Sequence, residues 1–171
     1  MRHRSLILIA LCVLSVSTVE AKPRTSRVSR RSQLLEELKK CVSPRPQNQC
    51  DEMSVDEVAE LYKQGDKNVM TNLMDVAPHS DGALSESLGV FFGELICEKP
   101  RTFLAAVARR PRSERENLLF LASAGDGSGM PCRHLPVLRR RLKNISTNRS
   151  DKLSSLAREC LVQVNKNNKT N

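Results

Sequence analysis

Residues 80 to 107, SDGALSESLGVFFGELICEKPRTFLAAV, carry the most regular apolar pattern of the chain. The apolar residues in its first half step by four, three, one, three and one: Leu84, Leu88, Phe91, Phe92, Leu95 and Ile96. This spacing places them on one face of an α-helix, whereas a strand would divide them between its two faces. Pro100 suits the first position of a second helix, which would bury Phe103, Leu104 and Val107. We therefore predict two consecutive helices here.

The same helical period recurs along most of the chain, and no long alternation of polar and apolar residues indicates a strand. Six further apolar stripes, each of helical spacing, begin at Leu34, Val55, Val69, Leu118, Leu135 and Leu153. Ser54 and Glu57 have the spacing of a capping box, which predicts that the second helix starts at Ser54. The predicted fold class is all-α.

Gly89 and Gly93 lie one helical turn apart within the opening stretch. Small residues at this spacing allow another segment to approach the helix closely. The alternative is a ligand groove above the two glycines, but Phe91 and Phe92 flank them and no polar group converges there. We predict close packing in the core.

Short helices joined by short links favour antiparallel neighbours, so the predicted architecture is a stack of antiparallel αα-hairpins supported by disulfides. A short irregular α-solenoid and a compact helical bundle both satisfy this pattern. In helix length and link length, residues 54 to 164 resemble HEAT-like and armadillo-like helical repeat proteins, although no clean internal repeat accompanies the resemblance.

The first 21 residues have the composition of a secretory signal peptide: Arg2, His3 and Arg4, then an apolar run from Leu6 to Val16, then small residues at Val19 and Ala21. No apolar run is long enough to span a bilayer, so no transmembrane segment is expected. The remaining length suits one domain, which we place at residues 32 to 165. The expected location is extracellular or periplasmic.

Both ends of the mature chain are polar, and we predict a disordered basic arm at residues 22 to 31 and a disordered tail at residues 166 to 171. Lys and Arg outnumber Asp and Glu by 28 to 19, a net charge of +9, which favours anionic partners. Candidate anionic contacts are the arginines of the arm and of two later clusters: Arg24, Arg27, Arg30, Arg31, Arg109, Arg110, Arg139, Arg140 and Arg141. The simpler explanation of the later clusters is that they cap helix carbonyls.

The predicted mature chain has five cysteines, an odd number, so at least one thiol is free or bonded to another chain. Cys132 and Cys160 each continue the apolar stripe of one of the last two helices, and we predict that they pair. The rival pair is Cys97 with Cys132. Cys41 and Cys50 form the predicted second disulfide, which leaves Cys97 as the predicted free thiol.

Catalytic motifs are weak in this sequence. Cys132 and His134 lie two residues apart and are the only candidates for a thiol nucleophile, but a disulfide is the better expectation for Cys132. No Cys or His spacing indicates zinc, and the glycine-rich residues 124 to 131 lack the Lys and Ser or Thr of a phosphate loop. We expect no cofactor, no metal and no catalytic residue. The mature chain has no Trp and one Tyr, so sequence-specific nucleic-acid binding is not expected.

Three tripeptides match the acceptor pattern for N-linked glycans, beginning at Asn144, Asn148 and Asn168. Together these features favour an exported, non-enzymatic helical protein that binds a partner protein or an anionic polymer of the envelope or the extracellular medium. The first alternative is a secreted helical signalling factor with N-glycans and a basic pro-segment that ends near Arg30 and Arg31. The second is an envelope hydrolase with an unrecognised site.

Overall fold

The computed structural model describes residues 24–42, 52–125, 127 and 131–168. These residues form eight α-helices and no β-strand, which confirms the predicted fold class. The helices are α1 (Arg24–Val42), α2 (Glu52–Lys63), α3 (Val69–Val76), α4 (Gly82–Glu98), α5 (Pro100–Val107), α6 (Arg112–Ala124), α7 (Leu135–Thr147) and α8 (Ser154–Asn167), with a 3₁₀ turn at Ala77–His79 after α3.

Proline and glycine residues mark some of the helix ends. Pro100 occupies the first turn of α5, and Gly65 has a φ of 111° in the turn that follows α2. Only glycine adopts such a positive φ without strain, so Gly65 allows the chain to reverse before α3. The predicted capping box at Ser54 is wrong: α2 begins two residues earlier, and Ser54 lies buried inside its first turn.

The core is a single hydrophobic cluster to which all eight helices contribute. Helix α4 is central and packs against α2, α5, α6 and α7, while α1 packs on α2 and α3, and α8 packs on α6 and α7. Leu88, Phe92 and Ile96 of the predicted α4 stripe are fully buried. The arrangement of the helices as stacked antiparallel hairpins stays a prediction.

Aromatic rings connect three of these helices. Tyr62 of α2 meets Phe91 of α4 edge to face, with 5.4 Å between ring centroids. Phe91 contacts Phe92 at 5.3 Å, and Phe92 contacts Phe103 of α5 at 5.9 Å. Such pairs add about 0.5–1.5 kcal/mol each beyond the area they bury, so this row fixes α2, α4 and α5 together.

The predicted basic arm is wrong for the residues that the structure describes. Residues 24 to 31 belong to α1. Arg30 pairs with Glu57 of α2, and Arg31 pairs with Asp66 in the turn before α3. The segment is helical because it continues a helix whose later turns bury Leu34 and Leu38.

The predicted disordered tail is also wrong where it is described, because α8 continues to Asn167 and residue 168 is held by side-chain contacts. The predicted signal peptide at residues 1 to 21 lies outside the described residues, as do residues 22, 23 and 169 to 171.

The predicted Cys132–Cys160 disulfide is wrong, and the rival pair is present: Cys97 is bonded to Cys132, with their Cα atoms 5.6 Å apart. Cys132 lies in the link before α7 rather than on that helix. The direction of its side chain therefore cannot be inferred from the apolar stripe of α7. Among the cysteines that the structure describes, the free thiol is Cys160, not Cys97, and it is fully buried. Cys41 is disulfide-bonded. Its predicted partner Cys50 lies outside the described residues, so that pairing stays a prediction.

Candidate functional site

One face of α4 forms the floor and one wall of an open groove. Phe91, Glu94, Leu95 and Glu98 are spaced three, one and three residues apart and therefore share this face. Phe91 and Leu95 are buried, whereas Glu98 is exposed. The face thus combines an apolar base with carboxylates near its edge.

The link before α7 and the first turns of α7 form the opposite wall. The Cys97–Cys132 disulfide ties this link to the end of α4. Farther along α7, Arg141 donates from Nη1 to the carbonyl oxygens of Cys97 at 3.3 Å and Glu98 at 3.4 Å. A covalent bond and a charged donor at the carboxyl end of α4 therefore hold the two walls together.

The end of α2 closes the groove. Lys63 forms an ion pair with Glu94 at 2.8 Å, and the hydrogen bond that Lys63 donates to the Glu94 carboxylate is the main reason that the pKa of Lys63 is raised. Tyr62 is buried against Phe91, and burial, followed by the nearby charge of Glu98, raises the pKa of its hydroxyl. Lys67 lies 3.9 Å from the centre of the Tyr62 ring and donates to the Tyr62 carbonyl, so a cation also contacts this ring.

We call this site the α4–α7 groove; its volume is about 640 Å³ and its lining comprises Tyr62, Lys63, Phe91, Glu94, Leu95, Cys97, Glu98, Lys99, Pro131, Cys132, Arg133, His134, Val137, Leu138 and Arg141. Lys63 and Glu94 neutralise each other. Within the described part of the chain, Lys99, Arg133 and Arg141 form no ion pair with a carboxylate. Three cations and the carboxylate of Glu98 therefore surround an apolar floor.

A second cavity of about 490 Å³ adjoins the groove, because Glu98, Lys99 and Arg141 line both. It continues along the first turn of α5 to Arg101 and reaches Asn144 on α7. Arg101 is not available as a free charge there, since it pairs with Asp151 at 2.7 Å. The available positive charge is therefore concentrated where the two cavities meet.

The structure separates the predicted anionic contacts into different roles. Arg110 pairs with Asp75 at 2.7 Å and with Glu114 at 2.8 Å, and Arg139 donates to the carbonyl of Asn168 at 3.1 Å. Arg109 and Arg140 are exposed outside the groove lining. Arg141 is the predicted contact that lies in the groove, and the side chains of Arg24 and Arg27 lie outside the described part of the structure.

The basic clusters were predicted to cap the carbonyl groups at the ends of their own helices. In the structure, a different arginine caps one helix end, and an arginine of the second cluster caps a different helix. Arg115 donates to the carbonyls of Ala108 at 3.0 Å and Arg110 at 2.9 Å, after the end of α5. Arg141 caps α4 rather than its own helix.

The site includes the candidate nucleophile residues Cys132 and His134. Cys132 has no thiol, because its sulfur is bonded to Cys97, so the candidate Cys132 and His134 nucleophile is ruled out in this state. Among the described residues, no group of three or more His, Cys, Asp or Glu side chains is placed to hold a metal ion. The other histidine of the described residues, His79, lies exposed at the end of the 3₁₀ turn.

Most of the groove was not predicted from the sequence. The available signal was that Glu94 and Glu98 interrupt the apolar face that Phe91 and Leu95 define on α4, since a fully buried face would be apolar throughout. Nothing in the sequence near Lys99 or Arg133 indicates a binding site, because folding brings these residues together from positions 34 residues apart in the chain.

Comparisons with protein-family models, with curated proteins and with solved structures found no match. The resemblance to HEAT-like and armadillo-like proteins accordingly stays a prediction. Of the helices described, none is both long and apolar enough to cross a membrane.

Proposed function

We propose that this chain is an exported, non-enzymatic binding protein that docks an acidic segment of a partner protein in the α4–α7 groove. The observation that carries this proposal is the apolar floor of the groove beneath Lys99, Arg133 and Arg141. A segment with one or two apolar side chains and adjacent carboxylates matches both parts of this surface.

The size of the groove supports a ligand of this kind. Its volume of about 640 Å³ falls within the range of about 300–1,000 Å³ typical of ligand pockets. The disulfide and the Arg141 hydrogen bonds hold its walls, so little of the binding free energy has to order the site.

Export is supported by the cysteines. Cys97 and Cys132 are bonded to each other and Cys41 is also in a disulfide. Disulfides of this kind persist in oxidising compartments and are rare where thiols are kept reduced. The predicted signal peptide at residues 1 to 21 provides the corresponding route.

A second candidate function is sequence-blind binding to an anionic polymer. Exposed Arg109 and Arg140 lie outside the groove, and the chain carries a net charge of +9. A uniformly charged polymer gains nothing from an apolar floor, however, so this alternative leaves the composition of the groove unexplained.

The remaining alternatives are less well supported. Cleavage after Arg31 would cut within α1 and remove two arginines that pair with Glu57 and Asp66, which speaks against a basic pro-segment. The bonded state of Cys132 argues against a hydrolase with that residue as nucleophile.

Fluorescence anisotropy with designed peptides tests the proposal. The probes are a labelled peptide of alternating Glu and Leu, a peptide of alternating Lys and Leu, and a peptide of Glu and Ser. We expect the Glu and Leu peptide to bind at least tenfold more tightly than either of the others, because only that peptide matches both the floor and the cations.

Charge reversal at two sites provides the matched control. Lys99→Glu with Arg133→Glu should weaken binding of the Glu and Leu peptide at least tenfold, whereas Arg109→Glu with Arg140→Glu makes the same charge change outside the groove and should alter it less than twofold. Equal losses in the two double variants, or equal binding of the Glu and Ser peptide, would support the anionic-polymer function instead.

A further inference from the structure

The three acceptor tripeptides for N-linked glycans stand in different local structures. Asn144 lies within α7, Asn148 lies in the link between α7 and α8, and Asn168 follows the end of α8. A transferase must reach both the side-chain amide of the Asn and the hydroxyl two residues later. The local structure therefore decides which tripeptide can be used.

Asn144 presents these two groups on different sides of a helix. Asn144 and Ser146 are separated by two positions in α7, and side chains at that spacing do not face each other. The hydroxyl of Ser146 donates to the carbonyl of Lys143 at 2.8 Å, which occupies it within the helix. Asn144 is therefore a poor acceptor in the folded chain.

Asn168 uses its amide nitrogen to hold α8 against α6. Its Nδ2 donates to the carbonyl oxygens of Ser123 at 3.1 Å and Val164 at 3.0 Å. Ser123 is fully buried, so this contact lies at the edge of the core. A glycan on Nδ2 would displace the amide from these two carbonyls.

Asn148 has the opposite arrangement. The residue is exposed, and its Oδ1 accepts hydrogen bonds from the backbone N–H of Ser150 at 3.2 Å and from the Ser150 hydroxyl at 2.7 Å. This turn places the side-chain amide and the acceptor hydroxyl next to each other. No hydrogen bond of Asn148 Nδ2 is found within the described residues, so it is open to attack a donor.

The turn is held in place by its neighbours. The backbone N–H of Asp151 donates to the Asn148 carbonyl at 3.0 Å, and the Asp151 carboxylate accepts from Leu153 N–H at 3.0 Å. The same carboxylate pairs with Arg101 of α5 at 2.7 Å. These contacts connect the turn to the start of α8 and to α5.

We propose that Asn148 is an N-glycan acceptor of this protein and that Asn144 and Asn168 remain unmodified. The donor is an oligosaccharide attached through a diphosphate to a lipid. Nδ2 of Asn148 forms a bond to C1 of the first sugar, the bond from C1 to the phosphate oxygen breaks, the lipid diphosphate leaves, and a base of the transferase takes one amide proton. This proposal rests on the export part of the proposed function and is independent of the groove.

Secretion of the full chain from a eukaryotic host tests the proposal. Intact mass before and after treatment with a peptide N-glycosidase, followed by glycopeptide mapping, identifies the occupied residue. We expect one glycan, lost in Asn148→Gln and in Ser150→Ala, and retained in Ser150→Thr, Asn144→Gln and Asn168→Gln. A glycan on Asn144 or Asn168, or no glycan on secreted protein, would overturn the proposal.

A second form, in which residues 1 to 21 are replaced by a signal peptide of the host, separates the acceptor from the export signal. A glycan on Asn148 in this form supports the acceptor even if the native leader fails to direct export. Its absence in this form overturns the acceptor. Anisotropy of the Glu and Leu peptide on deglycosylated protein tests the groove separately.

Discussion

Gly89 of α4 lies directly against Gly125, which ends α6, so that a Cβ atom on Gly89 would overlap the carbonyl oxygen of Gly125. Gly93, one turn later, faces the ring of Pro131 and the carbonyl of Ala122. The predicted role of the two glycines in close packing is confirmed. Gly125 itself has a φ of 63° and a ψ of −131°, a conformation in which glycine is strongly preferred.

We predict that Gly89→Ala lowers the free energy of unfolding by at least about 2 kcal/mol, because backbone must move to admit the methyl group. The sign is diagnostic, since Gly to Ala within a helix otherwise stabilises by up to about 1 kcal/mol. Urea denaturation measures the change. Glu86→Ala, on the exposed side of the same helix, is the control and should stay within about 0.5 kcal/mol. A stabilised Gly89→Ala variant would contradict this packing.

The helices were predictable because an apolar stripe is local information. Leu84 to Ile96 specify a buried helix face within 13 residues, and Pro100 marks the start of the next helix. The first turns of α1 were not predictable in this way, since their described partners, Glu57 and Asp66, lie 27 and 35 residues away from Arg30 and Arg31. A polar segment without local contacts has the composition of a disordered one until such partners are known.

The disulfide and the groove both depend on the path of the link before α7. The apolar stripe of a helix gives no information about the path of a link. Extending the pattern of α7 back to Cys132 gave the wrong partner, because the helix begins only at Leu135. The groove requires α2, α4 and the link before α7 to meet. Glu94 and Glu98 interrupt the apolar face of α4 in the sequence, but this face was predicted only as core.

The ion pair between Arg31 and Asp66 should make the free energy of unfolding depend on pH in the acidic range. A hydrogen bond from Arg31 is the main reason that the pKa of Asp66 lies below its ordinary value of 3.8. Because the folded state lowers this pKa, the stabilisation is present above pH 3.8 and is lost as the pH falls through the lowered pKa. The pair is partly exposed, so its worth is at most about 1 kcal/mol.

We predict that Arg31→Met raises the pKa of Asp66 toward 3.8, as measured from its side-chain carboxyl signal by NMR titration. Lys39→Met removes a cation from an exposed pair with Glu36 in the same helix and should leave the pKa of Asp66 unchanged. An unchanged Asp66 pKa in Arg31→Met would show that α1 is not docked through this contact.

The Cys97–Cys132 disulfide closes a loop of 35 residues and should contribute about 3–4 kcal/mol by restricting the unfolded chain. We predict this loss in the Cys97→Ser and Cys132→Ser double variant, together with weaker binding of the Glu and Leu peptide, because the link before α7 is no longer tied to α4. Non-reducing peptide mapping of the native protein should yield a peptide joining Cys97 to Cys132. A peptide joining Cys132 to Cys160 would contradict the assignment.

Cys160 is a buried thiol on α8 and should be inert in the folded protein. Burial raises its pKa to about 12, from an ordinary value of 9.0, because the thiolate would lack solvation. We predict no alkylation by iodoacetamide at pH 8 in the native state and complete alkylation of this thiol in 6 M guanidinium chloride. Rapid labelling under native conditions would contradict its burial.

The same raised pKa predicts a loss of stability in alkali. The folded state keeps Cys160 protonated while the unfolded chain releases that proton above pH 9.0, so the stabilisation is complete below pH 9.0 and declines as the pH rises toward 12. At full effect the free energy of unfolding declines by about 1.4 kcal/mol per pH unit.

Cys160→Ala removes the titrating group. Between pH 9.5 and pH 11 the free energy of unfolding of this variant should therefore fall less steeply than that of the native protein, by about 1.4 kcal/mol per pH unit. Tyr62, whose pKa burial also raises, titrates in both proteins and cancels in the comparison. Parallel pH profiles for the two proteins would show that the thiol is ionised in the folded state or that α8 opens before the rest of the chain unfolds.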